Sequence, residues 1–174
     1  MREAKSKALV WSKSQYFDDK TRQYVSKLLS SDDHEQIQEI FAQELSFGTG
    51  GMRGILGAGT SRINIYNIRR ATTALSYYLK SSSDNSSLKV AISYDSRHFS
   101  RVFAENAAGT LAAHGIKTVI TKHLRPVPLL SFLVRYKSCH AGICITASHN
   151  PPEYNGFKVY WSDGAQIVSP HDQK

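Results

Sequence analysis

The chain has 174 residues, of which 41% are hydrophobic and 21% are charged, and its formal net charge is +8. This length is enough for one domain with a hydrophobic core and short for two, and the composition is typical of a globular protein. The densest apolar run, residues 127–134, is far shorter than the roughly 18 residues that a membrane-spanning helix needs.

The N-terminal stretch MREAKSKALVWSKSQ carries charges throughout and lacks the apolar segment of a secretion signal. Cys139 and Cys144 lie five positions apart, which fits neither a disulfide framework nor a zinc site. Cys144 follows apolar residues and is expected to be a small buried hydrophobic side chain. These features predict a cytoplasmic protein with no membrane partner.

The positive net charge attracts anions, which include nucleic acids, anionic lipids and phosphorylated metabolites. The basic residues are spread along the chain and form no run of about five or more. This spread lacks the basic patch typical of a nucleic-acid-binding domain. Charge by itself therefore leaves the partner open.

Residues 3–43 read as helical, with few turn signals. One apolar face carries Val25, Leu28 and Leu29, and a second carries Ile37, Ile40, Phe41 and Leu45. Asp18 and either Asp32 or Asp33 are candidate N-caps.

The composition changes at residues 46–61, where SFGTGGMRGILGAGTS contains six glycines in sixteen positions and predicts a loop. RINIY then alternates as a short strand, and Asn67 is the predicted cap of a helix over IRRATTALSYYLKS. A polar linker, SSSDNSS, follows.

From residue 88 onward, strands alternate with helices. The predicted strands are LKVAISYD, IKTVIT and HAGICITA, and the predicted helices run from about Ser100 to His114 and from Val127 to Lys137. GFKVYW is expected to add an antiparallel strand at an edge. The predicted fold class is α/β, with a mainly parallel four-stranded mixed sheet covered by helices and a helical N-terminal arm.

Ligands of open α/β sheets bind beyond the carboxyl ends of the strands. One such loop offers Asp95 and Arg97, and another offers Ser148, His149 and Asn150. The glycine-rich GTGGMRG, which contains Arg53, could turn backbone N–H groups toward an anion. Three anion-binding elements on one chain make phosphate chemistry plausible.

Each element also has an ordinary structural interpretation. The glycines can form a tight connection, and Asp95 with Arg97 can be a simple ion pair. Ser148 and His149 are adjacent and lack a G-x-S-x-G motif, which disfavours a serine hydrolase. His98, His114 and His140 show no metal-binding spacing and are expected to be structural or surface residues.

TASHNP followed by YNGFK resembles the phosphoserine loop of the α-D-phosphohexomutases, the phosphoglucomutase and phosphomannomutase superfamily. FGTGGMRG is similar to the N-terminal arginine motif of that superfamily, YDSR to its second loop, and DGAQIVSPHD to the end of its first domain. The resemblance extends from about Phe41 to the C-terminus. Together with the helical arm, it points to the branch that contains phosphoglucomutase-2 and phosphopentomutases.

The resemblance implies phosphoryl transfer on an aldose phosphate through a phosphoserine at Ser148 and a sugar bisphosphate intermediate. It implies that Arg53 stabilises charge and that Lys158 is the general acid/base. His149 would orient the loop or contact substrate. The residues expected to bind phosphate or substrate are Gly50, Gly51, Arg97 and Asn150, with Arg97 also pairing with a carboxylate and Asn150 fixing the turn.

The resemblance further implies Mg²⁺ bound by a phosphate oxygen on Ser148 and by an aspartate-rich loop of a second domain. No D-x-D-x-D cluster occurs in this sequence, and Gly50 stands where many members have serine. A bisphosphorylated sugar is the expected activator, and a sugar phosphate the expected substrate.

The predicted division is a helical arm over 1–45 and phosphohexomutase domain I over 46–174, ending before the metal-binding domain and expected to be inactive alone. The alternatives are a non-catalytic module that binds a sugar phosphate or a partner chain, and a basic nucleic-acid-binding domain. The identity of the sugar and the oligomeric state stay open.

Overall fold

The computed structural model describes residues 2–31, 33–48, 51–83 and 87–168. The elements are α1 (Arg2–Lys13), α2 (Asp19–Ser30), α3 (His34–Phe41), β1 (Gly51–Ile55), α4 (Ile65–Ser81), β2 (Lys89–Tyr94), α5 (Ser100–Ala113), β3 (Lys117–Ile120), α6 (Val127–Tyr136), β4 (Ala141–Ile145) and β5 (Tyr154–Trp161). The predicted α/β class with a helical N-terminal region is confirmed. Among the described residues, no helix has both the length and the apolar character needed to cross a bilayer.

The sheet has five strands within the described residues, in the order β1-β5-β4-β2-β3. β2 is parallel to both β3 and β4, whereas β5 is antiparallel to both β4 and β1. The predicted count of four strands was therefore one too low, and the sheet is evenly mixed. β5 is antiparallel, as expected. It is an internal strand and not an edge strand, because β1 pairs with its outer side.

β1 lies in the glycine-rich segment that was predicted to be entirely loop. Two glycines let it approach β5 closely. A Cβ atom at Gly51 would lie 2.3 Å from the Phe157 carbonyl oxygen, and one at Gly156 would lie 2.7 Å from the Met52 carbonyl oxygen. Close backbone approach is a recognised reason for glycine inside a strand. Pairing with β5 thus outweighs the low strand propensity of glycine.

Helices cover both faces of the sheet. The main core packs α4 and α5 against one face, where Val90, Ile92, Ile143 and Phe157 are buried. A smaller cluster packs α6 against the opposite face. Cys139 and Cys144 belong to this second cluster and are free and buried, as predicted for Cys144.

The three N-terminal helices pack around their own apolar cluster, which includes Trp11, Phe17, Phe41 and Tyr66. Asp18 caps α2 and Asp33 caps α3, as predicted. The other candidate cap, Asp32, lies outside the described residues. Trp11 stacks on Phe17 with ring centroids 4.2 Å apart. Tyr66 comes from α4, so this cluster joins the arm to the α/β unit.

The segment RINIY is not a strand, because α4 begins at Ile65. Asn64, not Asn67, is the N-cap, and its side chain accepts a hydrogen bond from the Asn67 N–H at 3.0 Å. Asn67 is 4% exposed, and its amide donates to the Arg62 carbonyl oxygen at 2.7 Å. Asn67 therefore holds the preceding loop and does not cap the helix.

Candidate functional site

Two loops meet at one edge of the sheet. β2 and β4 are parallel neighbours, and their last residues, Tyr94 and Ile145, pair directly. The carboxyl ends of the two strands therefore lie side by side, so the loop with Asp95 and Arg97 faces the loop with Ser148. This is the edge at which α/β folds bind their ligands.

Ser148 lies in a tight turn after β4. The Asn150 N–H donates to the Ala147 carbonyl oxygen at 3.1 Å and closes the turn. Ser148 has φ +59°, whereas His149 is not in the positive-φ region, which is the pattern of a type II′ turn. Glycine is favoured at that position because most side chains disfavour the left-handed region. The structure therefore holds Ser148 in a conformation that serine rarely adopts.

The contacts of Ser148 leave its hydroxyl group exposed. Its N–H donates to Thr146 Oγ1 at 2.9 Å, and its Oγ lies 3.4 Å from His149 Nδ1. The Ser148 side chain is thus exposed, while its backbone N–H is held by Thr146. Such an oxygen is available to a group that arrives from solvent.

Arg97 connects the two loops. Its Nη1 atom donates to the carbonyl oxygens of Pro151 at 2.8 Å and Tyr154 at 3.1 Å. Its Nη2 atom donates to the carbonyl oxygens of Ser148 at 2.9 Å and Asn150 at 2.6 Å. Nε lies 3.5 Å from Asp95 Oδ2, which is the carboxylate pairing that the sequence predicted.

A buried polar network supports this arrangement from below. Asn155, which is 0% exposed, donates through Nδ2 to the His98 carbonyl oxygen and to Ser100 Oγ, each at 2.9 Å. The Ser100 hydroxyl in turn donates to Asp95 Oδ1 at 2.8 Å. The network links the start of β5 to the loop after β2. Buried polar groups that are fully hydrogen-bonded give a unique, rigid arrangement.

Sequence reasoning gave Asn155 and Ser100 no role. Asparagine near the start of a strand is a weak signal by itself, and the partners of Asn155 lie 55 and 57 residues away along the chain. The available signal in the sequence was that Asn155 belongs to YNGFK, which follows the TASHNP of Ser148 in one motif.

Arg53 and Lys158 lie on the same face of the sheet. Gly51 pairs with Lys158 and Arg53 pairs with Gly156, so both side chains leave the sheet on one side. Lys158 also pairs with Cys144, which packs under α6. Burial raises the pKa of the Cys144 thiol, and the nearby positive charge of Lys158 acts in the opposite direction.

Gly156 brings Arg53 close to the Ser148 loop. A Cβ atom at Gly156 would lie 2.7 Å from the Thr146 carbonyl oxygen and 3.1 Å from Arg53 Cγ. The Arg53 side chain therefore crosses β5 directly over Gly156, beside the residue that anchors the Ser148 N–H. A larger residue at 156 would push it away.

A polar cavity of about 430 Å³ opens between the two loops. It is lined by Asp95, Ser96, Arg97, His98, Ser148, Asn150 and Pro152. The arrangement offers an exposed hydroxyl beside fixed loops, with a guanidinium and an ammonium on the neighbouring strands. These groups suit a dianionic ligand such as a phosphoryl group.

The remaining predicted residues lie elsewhere or outside the described residues. Gly50 falls outside them, and Gly51 contributes the close approach of β1 to β5. His140 Nδ1 accepts from the Lys89 N–H at 3.2 Å, and the His114 ring contacts Tyr77, so these two histidines make structural contacts. In the part of the chain described, no three or more His, Cys, Asp or Glu residues lie close enough together to hold a metal ion.

The family model for phosphoglucomutase/phosphomannomutase, alpha/beta/alpha domain I, matches residues 44–174. The chain belongs to this family. The resemblance read from the sequence motifs is thereby confirmed, and the chain is a domain I of the phosphoglucomutase/phosphomannomutase type.

Several relatives support this assignment. The chain is 39% identical over 157 residues to a probable phosphoribomutase of Schizosaccharomyces pombe, covering 90% of this chain and 27% of the relative. It is 48% identical over 127 residues to a phosphoglucomutase of Staphylococcus haemolyticus, covering 73% of this chain and 23% of the relative. It is 39% identical over 160 residues to a human phosphopentomutase, covering 88% of this chain and 26% of the relative.

A solved structure described as a putative phosphomannomutase from Thermus thermophilus superimposes with a TM-score of 0.69 at 32% identity. The match covers 75% of this chain and 29% of that one. The chain therefore spans about a quarter of the length of the relatives that it matches.

Proposed function

We propose that this chain is the phosphoserine-bearing domain of a phosphohexomutase. The complete enzyme moves a phosphoryl group between the 1 and 6, or 1 and 5, positions of an aldose phosphate. The observation that carries the proposal is Ser148. Its exposed hydroxyl stands on a rigid turn of a family domain, with Arg53 and Lys158 on the adjoining face of the sheet.

The reaction consists of two phosphoryl transfers at Ser148. In the first, a hydroxyl oxygen of the sugar phosphate attacks the phosphorus of phosphoserine, and the bond from phosphorus to Ser148 Oγ breaks. The product is a sugar bisphosphate. In the second, Ser148 Oγ attacks the other phosphoryl group of that bisphosphate, and the sugar oxygen leaves. Ser148 ends phosphorylated again, so no phosphate is lost or gained.

Lys158 moves the protons in this scheme. In its neutral form the amine accepts the proton of the attacking sugar hydroxyl, and as an ammonium group it returns a proton to the departing sugar oxygen. Arg53 stabilises the negative charge that spreads over the transferring oxygens. Their positions on neighbouring strands support this division, because both side chains leave the same face of the sheet, and that of Arg53 lies over Gly156 next to Thr146.

His149 orients the Ser148 hydroxyl, since its Nδ1 atom lies 3.4 Å from that oxygen. Asn150 closes the turn through its backbone N–H. Its Oδ1 atom is buried without a hydrogen-bond partner among the described residues, which is consistent with a donor arriving on the ligand. Gly50 and Gly51 remain proposed phosphate-binding positions of the arginine motif.

Mg²⁺ would neutralise charge on the phosphoryl oxygens when bound. Oxygen is the ligand atom that Mg²⁺ prefers, and a phosphate on Ser148 supplies one. We propose that this chain contributes that single ligand. A bisphosphorylated sugar would act as activator by phosphorylating Ser148. The cytoplasmic location remains a prediction from the sequence.

The proposal is tested on the complete gene product, purified from its own cells. Intact mass and peptide mapping should locate an added mass of about 80 Da, one phosphate, on Ser148. Ser148→Ala should abolish mutase turnover and leave the fold intact, whereas Ser26→Ala on the exposed side of α2 should change neither.

Full turnover by the Ser148→Ala variant would refute the proposal. Unmodified Ser148 in an active enzyme would do the same. Binding of sugar phosphates by both proteins with no turnover in either would favour a non-catalytic binding module.

A further inference from the structure

Four of the five side-chain hydrogen-bond donors of Arg97 are already engaged. A guanidinium has five N–H groups in a fixed planar fork. Four of them meet carbonyl oxygens of residues 148–154 at 2.6–3.1 Å, and the fifth points to the Asp95 carboxylate. The side chain is 14% exposed. Neither Nη atom of Arg97 has an N–H group left to bind a phosphate, and Nε faces the Asp95 carboxylate at 3.5 Å.

We propose that Arg97 is a positioning residue that sets the geometry of the Ser148 turn, and that it does not bind the phosphoryl group directly. This inference rests on the proposed function of Ser148. It assigns Arg97 a different role from the phosphate binding that the sequence resemblance implied.

The four carbonyl oxygens come from the turn itself and from the residues that follow it. Nη2 holds the carbonyl groups of Ser148, which bears the exposed hydroxyl, and of Asn150 at the end of the turn. Nη1 holds the carbonyl groups of Pro151 and Tyr154, where the loop enters β5. The planar guanidinium therefore ties the Ser148 turn to the start of β5. Because carbonyl groups cannot donate, a loop that presents four of them to one point needs a multivalent donor.

The held conformation is one that the loop would otherwise avoid. Ser148 has a positive φ, which disfavours a residue with a Cβ atom. Such backbone conformations persist only where the surroundings over-determine them. Arg97 bonds directly to the carbonyl group of Ser148 and is thus the contact placed to maintain this conformation.

Lysine cannot replace arginine in this role. Its ammonium group is a compact charge with three donors, and it cannot bridge four carbonyl groups and a carboxylate in one plane. A residue that bound phosphate by charge alone would tolerate lysine far better. The Arg97→Lys variant therefore separates positioning from direct binding.

The first measurement is amide hydrogen exchange by mass spectrometry on the unphosphorylated 174-residue chain. In Arg97→Ala and Arg97→Lys we expect exchange in residues 147–154 to rise roughly tenfold or more, with β2 and β4 still protected. The matched control is Arg101→Ala, since the Arg101 side chain is 73% exposed and forms its ion pair with Glu105 of the same helix.

The second measurement places phosphoserine at position 148 by genetic encoding and follows its ³¹P resonance against pH. If Arg97 positions the loop, Arg97→Lys moves the phosphate titration as far as Arg97→Ala does, because both release the turn. If Arg97 binds phosphate by charge, the lysine variant keeps the wild-type titration.

Unchanged exchange of residues 147–154 in both variants would overturn the inference. So would a wild-type titration in Arg97→Lys. The exchange result does not depend on whether Ser148 is phosphorylated in cells. The role of Arg97 in holding the loop can therefore be confirmed even if the proposed function is wrong. If the Arg97→Ala variant fails to fold, the Arg97→Lys variant alone tests the inference, because its lysine keeps a positive charge beside Asp95.

Discussion

Two hydrogen bonds connect Tyr66 with Asp18. The Tyr66 hydroxyl donates to Asp18 Oδ2 at 2.6 Å and accepts from the Asp18 N–H at 2.8 Å. These two contacts join the cap of α2 to the first turn of α4. The helical arm is therefore attached to the α/β unit by a polar connection as well as by the aromatic cluster around Trp11.

Removing this hydroxyl should weaken the attachment of the arm. Tyr66→Phe keeps the buried ring, but it leaves the Asp18 N–H without its partner and removes one of the hydrogen bonds that the Asp18 carboxylate accepts. We expect a loss of about 1–2 kcal/mol in the free energy of unfolding, measured by urea denaturation. Tyr24→Phe on the exposed side of α2 is the control and should change little. Equal stability of Tyr66→Phe and wild type would show that the contact contributes nothing.

The same pair predicts a dependence of stability on acid. The hydrogen bond from Tyr66, followed by that from the Thr21 N–H, lowers the pKa of Asp18 below its usual value. A carboxyl group whose pKa is lower in the folded state stabilises the fold above its unfolded pKa and ceases to do so as pH falls through the folded pKa. Wild type should therefore lose more stability than Tyr66→Phe on acidification, and parallel curves would contradict this.

Gly156 should tolerate no side chain. A Cβ atom there would lie 2.7 Å from two carbonyl oxygens, those of Met52 and Thr146, and neither can move without breaking the sheet. We expect Gly156→Ala to cost about 1–3 kcal/mol in thermal or urea unfolding. Gly109→Ala is the matched control, because Gly109 lies in α5 with open space around its Cβ position and should gain about 0.5–1 kcal/mol.

Asn155 should be one of the most sensitive polar residues of the domain. Asn155→Ala removes both donors of the buried amide, so the His98 carbonyl oxygen and the Ser100 hydroxyl each lose the hydrogen bond that they accept from it. The expected cost is about 2–3 kcal/mol. The partly buried Asn106 offers a comparison, and Asn106→Ala should cost less. A loss below that of Asn106→Ala would show that the network is not structural.

Ser148→Gly should make the domain more stable, and under the function proposed above it should also remove the oxygen that carries the phosphoryl group. Glycine adopts a positive φ without steric cost, whereas serine at φ +59° is held against its preference. We expect a gain of about 1 kcal/mol in unfolding free energy relative to Ser148→Ala, which keeps the Cβ atom. Equal stability of the two variants would mean that the turn is not strained.

Much of the fold was readable from the chain. β2 and β4 are buried on both faces and therefore appear as continuous apolar runs, and α5 and α6 carry clear helical periods between them. β1 was not readable, because its glycines signal a loop, and only the register with β5 explains them.

Other errors arose where two similar residues compete. Asn64 and Asn67 are both suitable caps three positions apart, and local sequence cannot choose between them. The choice depends on the loop carbonyl groups that Asn67 reaches in the folded chain. Likewise, Arg97 is visible as a charged loop residue, but its four acceptors lie 51–57 residues away and become neighbours only through the parallel pairing of β2 and β4.

The strand order also has a kinetic consequence. β4 and β5 are joined by a short loop and can pair early, which brings Ser148 and Lys158 together in one hairpin-like unit. β1 carries Arg53 and pairs with β5, although the two strands lie far apart along the chain. Contacts between such distant segments form late, because closing the intervening loop costs chain entropy. The strand pair that carries Ser148 and Lys158 should thus form before β1 adds Arg53. Pulse-labelled hydrogen exchange would detect this as late protection of residues 51–55. A partly folded chain would then present the Ser148 turn before the positive charge of Arg53 lies beside it.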